Sequence, residues 1–111
     1  MNIKKIKSVI DAIESADAYT LFGDFGYSPL LNSIAWLENP LGIPDREVLT
    51  FIWDGEDGRE TEVTFTERNL SDAVVDSLGV LIMRDKKGKR VEVSGFELKR
   101  VNFGGFKDES I

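Results

Sequence analysis

Residues 60–66, Glu-Thr-Glu-Val-Thr-Phe-Thr, alternate polar and apolar side chains, and the apolar-rich run Val-Leu-Thr-Phe-Ile-Trp precedes them at 48–53. A period of two marks a strand, because successive side chains point to opposite faces of a sheet. Joined by Asp54-Gly55-Glu56-Asp57-Gly58, the two runs predict an antiparallel hairpin. A second hairpin is predicted from 80–84 and 89–93, which flank Asp85-Lys86-Lys87-Gly88. The second half of the chain is thereby committed to antiparallel β-structure.

The N-terminus reads differently. Ile3, Ile6, Ile10 and Ile13 recur at spacings of three, four and three, with Val9 beside them and Lys5, Asp11 and Glu14 directed elsewhere. This is one face of a helix, and four isoleucines on a stripe suit docking onto a sheet. Residues 18–22 predict a strand, closed by Gly23-Asp24-Phe25-Gly26, where glycine supplies a turn with positive φ. Asp24-Phe25-Gly26 matches three letters of the kinase metal-binding motif, but nothing else of that fold is present.

Ser28-Pro29 offers an N-cap followed by proline at a first helical position, and Leu30, Leu31, Ile34 and Leu37 would share a helical face up to Asn39-Pro40. A short helix is expected there, although the run 34–37 would also suit a buried strand. Residues 41–45 read as a loop. Asn69 caps a helix running toward Gly79, or else 69–78 is a crossover feeding a longer strand. A last strand is expected over 96–101, with Gly95 as a bulge or bend. Gly104-Gly105 then releases a tail, 104–111, expected to be mobile.

The fold class that follows is α+β: an N-terminal helix packed on an antiparallel sheet of about five strands built around two hairpins. Residues 1–103 form a single globular domain, since 111 residues suffice for one core that buries roughly 65% of the unfolded surface. The expected core is Ile3, Ile6, Ile10, Ile13, Leu21, Leu49, Phe51, Val63, Phe65, Leu81, Met83, Val91, Val93 and Leu98.

Composition removes whole classes of chemistry. The chain has no cysteine and no histidine, which excludes disulfide scaffolds, thiol nucleophiles, thiolate or histidine metal sites and histidine general bases. No cofactor and no metal is expected. Asp54, Glu56 and Asp57 sit on one turn, but Gly58 falls at the wrong position for a calcium loop. No run approaches the length of a membrane span and no signal peptide is evident, so a cytoplasmic protein is the expectation.

Charge is unevenly spread within the net −6. Residues 8–80 hold three arginines against fifteen acids, whereas 81–100 hold seven bases against three acids. On the 60–66 strand, Glu60, Glu62, Thr64 and Thr66 are expected on one side, with Val63 and Phe65 on the other. Together with Asp54, Glu56 and Asp57 at the neighbouring tip, the carboxylates form either a plain solvated face or a docking surface for a basic protein. Trp36 bears on the choice. Burial in the core is the default for a tryptophan, but one exposed beside acids would anchor a partner.

The leading expectation is a non-enzymatic binding protein of the inhibitor, immunity or adaptor type. It would mask a basic surface of a partner through Trp36, Asp54, Glu56, Asp57, Glu60 and Glu62. The alternative is a nucleic-acid-binding domain gripping phosphates with Arg84, Lys86, Lys87, Lys89 and Arg90. Net charge works against that alternative. A small enzyme using paired carboxylates is the third option.

Overall fold

A computed structural model of the chain describes residues 1–15, 18–31, 34–55, 58–96, 101–102 and 107–108. The isoleucine stripe forms α1 (Ile3–Ser15), which buries Ile6, Val9, Ile10, Ala12 and Ile13. Strands β1 (Ala18–Gly23) and β2 (Gly26–Leu31) follow as a hairpin, closed at Gly23 and Gly26, with Gly26 at φ 97°. Next come β3 (Ile34–Leu37), β4 (Glu47–Asp54), β5 (Glu60–Thr66), the one-turn α2 (Glu67–Ser71) and β6 (Val74–Val75). The chain closes with β7 (Leu81–Arg84), β8 (Arg90–Phe96), β9 (Val101–Asn102) and β10 (Lys107–Asp108).

The fold is α+β, with an N-terminal helix and antiparallel sheets, and both predicted hairpins form. They lie in different sheets. The first belongs to a three-stranded sheet in the order β3-β4-β5, the second to a five-stranded sheet in the order β2-β1-β8-β7-β6. One cluster of buried side chains draws on α1, α2 and both sheets, with Phe51 and Phe65 meeting edge to face at 6.4 Å. Phe25 and Trp53 make a second edge-to-face contact, at 5.1 Å, between the β1–β2 turn and β4. The sheets are also joined through backbone, because Lys86 N–H donates to the Thr64 carbonyl at 2.7 Å.

Twelve of the fourteen expected core residues are buried. Ile3 is only partly buried, packed against the cluster, and Leu98 lies outside the described residues. Val48, Leu70 and Ala73 are buried in addition. Val48 and its neighbour Leu49 are both inaccessible because the β4–β5 register shifts between Glu47 and Leu49, and such a bulge can turn successive residues inward.

The helix expected from Ser28 to Leu37 is not formed among the described residues: 28–31 lie on β2 and 34–37 on β3, the strand that this last run also suited. Serine-proline is a local signal, whereas β2 bonds along the length of β1 and β3 bonds to β4. A short helix gains too little from its own bonds to compete with two ladders. Pro29 is tolerated because β2 is an edge strand. The 69–78 segment combines both readings: α2 starts earlier, capped by Thr66 rather than Asn69, and ends before β6. Gly95 sits in regular register opposite Tyr19, without a bulge. Within the C-terminal stretch, Lys107 and Asp108 pair with Asn102 and Val101, while residues 97–100, 103–106 and 109–111 lie outside the described residues.

Among the described residues, no helix is long and apolar enough to cross a membrane.

Candidate functional site

Cross-strand register builds the candidate site on the outer face of the three-stranded sheet. Trp36 on β3 is opposite Thr50 on β4, and Thr50 is opposite Thr64 on β5. The next rows on that face pair Ile52 with Glu62 and Asp54 with Glu60. With strands about 4.8 Å apart, Trp36 stands roughly 10 Å across the sheet from the Thr64 position, one row from Glu62. Trp36 is 38% exposed, while Asp54, Glu60 and Glu62 are exposed as well. Glu56 and Asp57 lie outside the described residues.

The row between tryptophan and carboxylate is wired by hydroxyls. Thr64 donates to Glu62 Oε1 at 3.3 Å, and Thr50 Oγ1 lies 3.0 Å from Thr64 Oγ1. A hydroxyl has one proton, so with Thr64 donating to Glu62, Thr50 must donate to Thr64. The relay orients Glu62 along the sheet and leaves its second oxygen free of this bond.

The acidic face is shorter than expected. Thr64 and Thr66, expected beside Glu60 and Glu62 on the same surface, are both buried. The 85–88 turn caps this end of β5 through the Lys86 to Thr64 backbone bond, and the Lys86 ammonium reaches Glu47 at 3.3 Å. Between them lies a hollow of about 400 Å³ lined by Glu47, Glu62 and Thr64 on one side and Lys86 and Lys87 on the other.

The basic hairpin is exposed at Arg84, Lys86, Lys87, Lys89 and Arg90, but much of its charge is already partnered. Lys86 pairs with Glu47, Lys89 with Asp24 at 3.8 Å, and Arg90 with Glu92 at 3.6 Å. Arg84 donates to the Gly88 carbonyl at 2.8 Å.

One charged residue outside the expected set has a place of its own. Glu67, the first residue of α2, is fully buried and accepts from Leu41 N–H through both carboxylate oxygens at 3.1 Å and from Gly42 N–H at 2.8 Å. Arg46 lies 3.5 Å from the same carboxylate and is also bonded to Glu38. Burial pushes the Glu67 carboxyl up, but the N–H groups of Leu41, Gly42 and Ile43 and the Arg46 guanidinium outweigh it and hold the group below the ordinary glutamate value. The clamp fixes the loop 38–46 that connects β3 to β4, and so fixes the path of the strand carrying Trp36. Leu41 and Ile43 remain exposed on that loop. The signal available in sequence was the Pro40-Leu41-Gly42-Ile43-Pro44 run, whose amides have no ladder and need an acceptor from elsewhere.

No protein-family model, curated protein or solved structure matches this chain.

Proposed function

We propose that the chain is a non-enzymatic binding protein, of the inhibitor, immunity or adaptor kind, whose three-stranded sheet masks a basic surface of a partner protein. The observation that carries this reading is the register: it sets an exposed tryptophan on the same sheet face as Asp54, Glu60 and Glu62. The chemistry divides between the two. Carboxylates steer a cationic partner toward the face and set its orientation, while the indole supplies apolar contact area that slows release. Thr50 and Thr64 hold the surface between them rigid, so little side-chain freedom is lost there on binding.

Nucleic-acid binding through the 84–90 hairpin is less well supported, because Lys86, Lys89 and Arg90 are paired with the chain's own carboxylates. Carboxylate catalysis finds little support in Glu67, whose lowered pKa is the wrong direction for a general acid. The test is affinity capture from the host lysate after nuclease treatment, with wild type, Trp36→Ala and Glu60→Lys/Glu62→Lys as parallel baits. A single basic protein retained by wild type and lost from both variants is expected. Retention unchanged in both variants overturns the assignment of this face.

A further inference from the structure

On the other sheet, Arg84 of β7 stands directly opposite Arg90 of β8 in the ladder. Like charges at directly opposed positions destabilise a sheet, and among the described residues only Arg90 of the two has a carboxylate partner, Glu92. Arg84 is held by a neutral carbonyl, that of Gly88, and Arg90 by an ion pair with Glu92 of 3.6 Å in which the arginine stays 60% exposed. Each guanidinium has five N–H donors, so both keep donors to spare. The pair lines a cleft of about 730 Å³ beside α2, which Arg68 of that helix also lines. The floor is apolar, built from Val74 and Ile82, which are paired in the β6–β7 ladder, with Val74 57% exposed.

We propose that this cleft binds the phosphate group of a small phosphate monoester, with the apolar body of the ligand lying on Val74 and Ile82. Arginine pairs match phosphate oxygens with two parallel bonds, and a dianion relieves the repulsion between Arg84 and Arg90. Arg68, Arg84, Lys86 and Arg90 outnumber Asp45, Asp72 and Asp85 along the lining, which leaves a small cationic excess. Asp85 accepts from Lys87 and Lys89 N–H, and Asp45 lies against Arg68 at 3.5 Å. Asp72, at the end of α2, limits the positive field and favours one phosphate over a polyanion. The cleft includes none of Trp36, Asp54, Glu60 and Glu62, although it shares Asp85 and Lys86 with the hollow beside Glu62.

Phenyl phosphate is the probe, titrated at constant ionic strength into isotopically labelled protein and followed by amide NMR shifts. Saturable shifts confined to residues 66–74 and 82–92 are expected, with inorganic phosphate binding more weakly for want of a ring on the apolar floor. Arg84→Gln/Arg90→Gln should weaken binding at least tenfold, and without ligand Arg84→Gln should raise Tm by removing the repulsion. Glu60→Lys/Glu62→Lys should bind the probe as wild type does, which keeps this proposal distinguishable from the docking face. Unsaturable shifts, equal binding by the double glutamine variant, or equal binding of benzoate overturns the proposal.

Discussion

A carboxylate with none of its surface exposed is costly to bury unless donors replace the water it loses. Glu67 meets this condition with loop amides and with Arg46, which is itself three-quarters covered. Glu67→Ala leaves those N–H groups without an acceptor and Arg46 short of a partner, so a loss of about 3 kcal/mol is expected in urea unfolding at pH 7. Glu67→Gln keeps the shape but turns an amide NH₂ toward N–H donors, and about 2 kcal/mol is expected. The pH dependence follows from the lowered pKa. The unfolded chain binds the Glu67 proton more readily than the folded one, so this contribution is complete above about pH 4.3 and is lost as pH falls through the lower folded value. The stability gap between wild type and Glu67→Gln should therefore narrow below about pH 4. A gap constant down to pH 2 would show that the carboxylate charge contributes nothing.

Three of the hairpin turns share one backbone arrangement. In each, the first residue's N–H bonds the carbonyl four residues on, while its own carbonyl accepts from a glycine three residues on: Gly55 with Gly58, Asp76 with Gly79, and Asp85 with Gly88. All three closing glycines have positive φ, between 77° and 83°. In the second and third turns the aspartate Oδ1 also accepts two amides, from Leu78 and Val80 or from Lys87 and Lys89. Replacing Asp76 or Asp85 by alanine should cost about 1 kcal/mol each in thermal unfolding. Gly55→Asn should do the opposite, supplying at the equivalent position of the first turn the side-chain acceptor that glycine lacks; a gain of about 0.5 kcal/mol is expected. The same motif explains what the sequence yields and what it hides. Asp85-Lys86-Lys87-Gly88 stands between two obvious strands and was legible, whereas Asp76-Ser77-Leu78-Gly79 has the same spacing but follows only two valines, and its glycine resembled a helix stop. The helix expected over 28–37 gave way because its capping signals are local, whereas 28–31 are held in the hairpin with β1 and 34–37, the run that also suited a strand, pair with β4.

At the scale of the molecule, fifteen acids against three arginines over residues 8–80 give a strongly negative field on most of the chain, and the basic hairpin partly folds back onto it through Glu47 and Asp24. The carboxylates of the docking face were legible because strand alternation alone sets Glu60 and Glu62 side by side. The position of Trp36 was not, since its row depends on β3 pairing with β4, a contact no local pattern encodes. Charge and indole make separable predictions for binding of the captured partner. Glu60→Lys/Glu62→Lys should slow association by about tenfold at low salt and converge on wild type as the Debye length shrinks near 1 M, because steering acts on the encounter. Trp36→Ala should leave association and its salt dependence unchanged and speed dissociation, because a buried anchor acts only after docking. Lys86→Glu/Lys87→Glu/Lys89→Glu should not weaken partner binding, and wild type should pass unretained through immobilised DNA and RNA at low salt. Stopped-flow kinetics across a salt series separates these effects. Slower association in Trp36→Ala together with unchanged rates in the charge-reversed variant would place the recognition surface elsewhere, because the indole would then be acting through the fold and the carboxylates not at all.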